Sequence, residues 1–195
     1  MGGEIGFVEK VKGFIAKPME TFQDIKEETM NSALKYFVVW IIIYGVLFGI
    51  VYTMFYSTLF GDFLEKPEEM FGRVTGITFL VLMIIMVIVG ELIGIFIGGA
   101  WLHLWVRIFG GKKGYHQTIK AMIYGNTPNY LFGWIPFISF ISGIWSLILI
   151  IFGIKELHEI STGKAAAATI VAIIVLLVIV ALLAATIYVW VAGFA

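Results

Sequence analysis

The sequence predicts an all-α integral membrane protein: a bundle of five transmembrane helices preceded by a short amphipathic N-terminal helical segment. Three observations lead there. First, 61% of the 195 residues are hydrophobic and only 13% are charged, whereas a soluble domain has about 25% charged and 45–50% apolar residues. One core cannot hide that surplus, so lipid must cover the rest. Second, apolar runs recur that are long enough to cross a hydrocarbon layer of about 30 Å, which takes about 20 helical residues. Third, lysine and arginine alternate between rich and poor in successive loops.

The formal net charge is zero, so no global field favours a nucleic-acid partner. The chain has no cysteine, which excludes disulfides, thiolate metal sites and palmitoylation. The first thirty or so residues mix polar and apolar types and do not follow the order of a secretory signal; insertion is expected to begin with the first spanning helix.

Residues 1–33 are expected to be cytoplasmic or interfacial, and residues 34–195 to form the membrane domain. Ile5, Phe7, Val8, Val11, Phe14 and Ile15 repeat with helical spacing, with Glu9, Lys10, Lys12 and Lys17 towards the other face. Such a helix is too short and too charged to span, and suits a leaflet surface. Pro18 then fits the first position of a second short helix. The spans follow at about 34–60, 74–109, 116–135, 136–154 and 165–193. The third carries Lys120, Asn126, Thr127, Pro128 and Asn129. It is read as a span because polar, irregular backbone is tolerated at depth when neighbouring helices bury it.

The loops support that count. Lys10, Lys12, Lys17, Lys26 and Lys35 flank the first span on its N-terminal side, and the next loop has only Lys66 and Arg73. Arg107, Lys112, Lys113 and Lys120 mark the third loop, the fourth has no base, Lys155 and Lys164 mark the fifth, and the C-terminal tail has none. This alternation places the N-terminus in the cytoplasm and the C-terminus outside.

Gly90, Gly94 and Gly98 lie four apart and form a small-residue groove, for packing within the chain or for homodimerisation. Glu91 stands beside it inside an apolar run, where an ionisable group is costly unless paired or neutral. It lies about 24 Å from Arg107 along a helix. Asn129 lies as far from Lys113, so Tyr124, Asn126 and Asn129 are the expected partners of Glu91 in an intramembrane polar layer. His103, Gln117 and Lys120 are expected nearer the cytoplasmic side. Pro128 removes a helical N–H and frees the carbonyl of Tyr124, which predicts a kink. Glu156, His158 and Glu159 in KELHEISTGK lack the spacing of a zinc site and read as a solvated turn. GGKKG at 110–114 lacks the spacing of a phosphate loop. No catalytic pair, metal site or cofactor motif is found.

The order of Gly110, Gly111, Lys112, Tyr115, Gln117, Thr118, Tyr124, Thr127, Pro128, Pro136, Trp145, Gly153 and the Glu156–Ala165 turn resembles the Yip1 domain family. KPMETFQDI, before the first span, is also similar. The resemblance covers about residue 17 to the C-terminus. It implies a five-span domain with a cytoplasmic N-terminus; eukaryotic members are linked to Rab GTPases and vesicle traffic and form complexes with relatives. No long cytosolic region precedes the first span, which argues against a GTPase partner and for a prokaryotic-type member in the plasma membrane. The expected function is a non-enzymatic scaffold or adaptor whose partners are the bilayer, further copies of the chain or other membrane proteins. The alternative is a small transporter, channel or lipid-moving protein built around Glu91.

Overall fold

The computed structural model describes residues 5–59 and 77–193. The acidic loop after the first span, with Lys66 and Arg73, lies outside them. All regular elements among the described residues are helices: α1 (Phe7–Ala16), α2 (Pro18–Asp24), α3 (Met30–Leu59), α4 (Ile77–Ile108), α5 (Tyr115–Gly125), α6 (Thr127–Phe132), α7 (Ile138–His158) and α8 (Thr162–Ala192). Four of them, α3 over Met30–Met54, α4, α7 and α8, are long and apolar enough to cross a membrane.

Local chemistry sets the boundaries. The Glu9 carboxylate accepts from the Gly6 N–H at 3.2 Å and caps α1. Pro18 opens α2, where its missing N–H costs nothing. Ser161 caps α8 by accepting from the Lys164 N–H at 3.3 Å. Glu159 ends α7 in the left-handed region, with φ 56°. Pro128 lies in the first turn of α6, and the chain breaks between α5 and α6 at Asn126. Thr127 Oγ1 donates to the Tyr124 carbonyl at 2.7 Å, which satisfies an acceptor at the interrupted ladder.

The centre of the bundle is an antiparallel pair. The α5–α6 segment runs alongside α7, with Thr118 beside His158, Ala121 beside Gly153, Gly125 beside Ile150 and Asn129 beside Ser146. Gly125 and Gly153 permit the close approach. A Cβ on Gly125 would lie 2.8 Å from the Ile150 backbone nitrogen, and one on Gly153 would lie 2.9 Å from the Ala121 Cβ.

One stripe of α3 carries Tyr36, Trp40, Tyr44 and Phe48 at four-residue spacing. Tyr36 meets Trp40 edge-on and Tyr44 stacks on Phe48, and the stripe reaches Tyr130 of α6 and Phe7 of α1. The neighbouring stripe, Gly45 and Gly49, faces Ile84 and Ile88 of α4. Trp101 of α4 donates to the Ala172 carbonyl of α8 at 2.9 Å.

Both ends of the α5–α6 segment can be placed in the bundle. The loop before α5 meets the loop after α7, because Lys113 pairs with Glu159 at 3.0 Å. The start of α7 lies at the opposite end of a 21-residue helix, about 31 Å away. Residues 114–137 therefore run the length of α7.

The N-terminal helices pack into this bundle. Phe14, Phe22 and Ile25 are fully buried, and Phe14 stacks on Tyr124 with ring centroids 5.2 Å apart. Lys10, expected on the polar face of α1, is only 4% exposed. Burying Phe14 against α5 turns the Lys10 position, four residues earlier, inward as well.

Candidate functional site

Where α1, the start of α3 and α5 meet, a polar cluster forms around Glu28. Its Oε2 accepts from Lys10 Nζ at 2.7 Å, Tyr124 OH at 2.8 Å and Ser32 Oγ at 3.2 Å. The Lys10 and Glu28 side chains are 5% and 6% exposed, so this is a buried ion pair. Lys10 Nζ also lies 5.6 Å from the centroid of the Tyr124 ring. Lys120, buried on α5, donates to the carbonyls of Lys26 and Glu28 at 2.9 and 2.7 Å. One carboxylate and two ammonium groups thus tie the connection before α3 to both α1 and α5. Beside them, Tyr36 OH and Thr127 Oγ1 are hydrogen-bonded at 2.9 Å.

This changes the expected polar layer. Tyr124 bonds Glu28 and not Glu91. Asn129 gives its backbone N–H to Ser146 and accepts from Ser142 through Oδ1 at 3.4 Å. Asn126 is half-buried at the break between α5 and α6. Glu91 is half-buried on α4 and lies within electrostatic reach of Tyr44 and Tyr130. Counting residues from the loops addresses its depth and not its azimuth, and the aromatic stripe of α3 takes the place beside it. The Tyr130 hydroxyl and Trp40 Nε1 are buried without a hydrogen-bond partner among the described residues.

The small-residue groove also differs. A side chain at Gly90 or Gly94 would meet no atom within 4 Å, and Gly98 only the tip of Met122. The close approach is made one residue further on, where a Cβ on Gly99 would collide with Ile119 of α5. The packing face is therefore rotated by one position, and Gly90 and Gly94 face away from the described chain.

Towards the loops, Thr118 Oγ1 bridges two histidines, His103 Nδ1 at 2.8 Å and His158 Nε2 at 2.9 Å. A hydroxyl can donate to one ring and accept from the other. His158, read from sequence as part of a solvated turn, is 2% exposed; Thr118 and His103 lie against its ring, and a Cβ on Gly111 would lie 3.1 Å from its Nδ1. Gln117 is half-buried, with its Oε1 buried and without a partner among the described residues. Outside the helices, Glu159 is shared between Lys26 at 2.6 Å and Lys113 at 3.0 Å. Hydrogen bonds from Lys26 first, then Lys113, pull its carboxyl down to about 2, and Glu159 holds the Lys26 ammonium above its usual range.

A family model, the Yip1 domain, matches residues 12–192. The chain belongs to the Yip1 domain family. No curated protein matches it, nor does any solved structure. The match begins inside α1 and ends with α8, so this Yip1 domain takes in the docked helices as well as the long apolar ones. Much of the ordered set that carries the resemblance lies on the central α5–α6 and α7 pair: Thr118, Tyr124, Thr127, Pro128 and Gly153 all stand there. Each makes a buried hydrogen bond, a close helix contact or the helix break described above.

Proposed function

We propose that this Yip1-domain protein is a non-enzymatic, multi-pass membrane scaffold or adaptor that organises membrane or partner proteins. It is placed in the plasma membrane of a prokaryote, with the N-terminus cytoplasmic and the C-terminus outside. The observation that carries this reading is how its polar and apolar groups are divided. The Glu28 cluster is spent on fixing α1 and α2 to the bundle, while long apolar faces are left to the surroundings. Residues 176–193 of α8 are all exposed, and α4 has no buried residue before Ile95. In a bilayer, lipid or a neighbouring helix covers such faces.

We read five crossings from the same layout. The loops around Lys113 and Glu159 share one end, so the chain between them must cross to the far end and return. The α5–α6 segment supplies the extra crossing, its polar groups sheltered by α7, α3 and α1. The chain has no cysteine, so single-cysteine variants label cleanly. Lys112→Cys and Ser161→Cys are expected to react from the same, cytoplasmic side; reaction from opposite sides would overturn the layout. For the scaffold role, photo-crosslinkers at Ile97 and Leu177 are expected to yield discrete protein adducts in native membranes. If they label lipid alone, and deleting the protein alters neither membrane form nor the distribution of other membrane proteins, the reading fails.

A second reading rests on Glu91, half-buried within electrostatic reach of Tyr130, whose hydroxyl has no partner among the described residues. A small transporter or channel would use these groups. Reconstituted liposomes are then expected to pass protons or small solutes at a rate that Glu91→Gln reduces; equal flux in both proteins would remove this reading.

A further inference from the structure

Between the α4–α5 loop and the start of α8 lies a cavity of about 610 Å³. Lys112, Lys113 and Lys164 line it, with His158, Glu159 and Ser161. Three lysines face one carboxylate, and that carboxylate is already held by Lys26 and Lys113. Lys112 and Lys164 form no ion pair with any described residue. The N-terminus of α8, a helix of 31 residues, opens at the cavity through Ser161. Its dipole favours a negative group there.

The independent observation is His158. It is 2% exposed and lines the cavity. Its Nε2 bonds Thr118, yet its Nδ1 is buried with no partner among the described residues. A buried ring nitrogen left unpaired is costly, and a phosphate oxygen or phosphate O–H would satisfy it. Gly110, with φ 99°, lets the loop bend at the cavity edge; a Cβ there would lie 3.6 Å from Lys164 Nζ.

We infer that this cavity binds a phosphate group, held by Lys112, Lys164, the His158 ring and the start of α8. The group is either the headgroup of an acidic phospholipid or a soluble phosphate. It would couple the α4–α5 loop to α8 from the face where α4, α7 and α8 end together.

The experiment uses the full chain, labelled with ¹⁵N-histidine, in nanodiscs of phosphatidylcholine. Inorganic phosphate is titrated in one arm. In the other, the discs carry increasing phosphatidylglycerol without added phosphate. A saturable shift of the His158 ring nitrogens is expected in at least one arm; the first identifies a soluble ligand and the second a headgroup. Lys112→Gln with Lys164→Gln is expected to weaken the response about tenfold or more, the loss of one or two charge-assisted contacts. Lys12→Gln with Lys35→Gln removes equal charge elsewhere and is expected to leave it within about twofold. No shift of His158 in either arm, an unchanged response in the Lys112/Lys164 variant, or an equal loss in the Lys12/Lys35 control would overturn the assignment.

Discussion

Lys10→Met tests whether the N-terminal helices are part of the bundle or only rest on it. The substitution keeps the volume of the side chain and removes its charge. Lys10 and Glu28 are each about nineteen-twentieths buried, so the carboxylate left behind cannot turn to water. Breaking one partner of a buried ion pair costs about 3–5 kcal/mol. Tyr124 and Ser32 still donate to Glu28, which places the loss near the lower end, at about 3 kcal/mol. The effect should be local first, because α1 meets the bundle through few side chains and can open without the rest. Lys12, exposed on α1, offers the readout: trypsin cuts after it only when the helix opens. A loss of about 3 kcal/mol speeds that cut by about two orders of magnitude. Glu28→Gln should act similarly, and the double variant should cost well below the sum of the two, since each single change strands the other's charge. Cleavage of Lys10→Met at the wild-type rate, or strict additivity in the cycle, would refute the reasoning.

The remaining predictions concern the interior and the loops. Gly153→Leu must push α7 away from Ala121 and Phe22 and is expected to lower stability by at least about 1–3 kcal/mol. Gly94→Leu, which meets nothing in the chain, should stay within about 0.5 kcal/mol; thermal unfolding in detergent compares the two. Thr118→Val leaves His103 and His158 without their shared hydroxyl and is expected to cost about 1–3 kcal/mol in the same assay. For Glu159, the folded carboxyl lies at about 2, below its ordinary 4.5. Its contribution is therefore full above the ordinary carboxylate range and is lost as pH falls through about 2. A ¹³C carboxyl titration should find Lys26→Gln moving that midpoint upward; an unmoved midpoint would mean that the Lys26 contact does not form.

How much of this could be read from the chain depends on the kind of information each feature needs. The long apolar helices follow from run length alone, since nothing but a span or a core absorbs residues 165–193. The break near Pro128 follows from a missing N–H. Azimuth is another matter. Counting residues from Arg107 gives the depth of Glu91 but says nothing of which way it faces. The answer lies in the four-residue rhythm of Tyr36, Trp40, Tyr44 and Phe48, a pattern open to reading in the sequence. Glu28 offered no such sign. It stands in a polar connection of ordinary composition, and it becomes a buried anchor only because Lys10 and Tyr124, far away in the chain, converge on it. His158 was hidden in the same way, since the residues around it, His103, Gly111 and Thr118, come from other parts of the chain.

That distinction bears on the scaffold reading. A transport route needs polar groups left free to exchange partners along a path. Here the charged groups buried where α1, α3 and α5 meet, Lys10, Glu28 and Lys120, are bound to one another or to backbone carbonyls, and they hold short helices in place. Glu91 stands apart from them, among aromatic rings. Lys112 and Lys164, without an ion pair among the described residues, lie instead at the loop end, where they border a cavity. On this division the interior sets shape and the loop end meets ligands, so mutations at Glu28 and at Lys164 should separate cleanly. The first should loosen α1 without changing the response of His158 to phosphate, and the second should do the reverse. Loss of both properties from either mutation would mean that the cluster and the cavity form one coupled unit, and the division would fail.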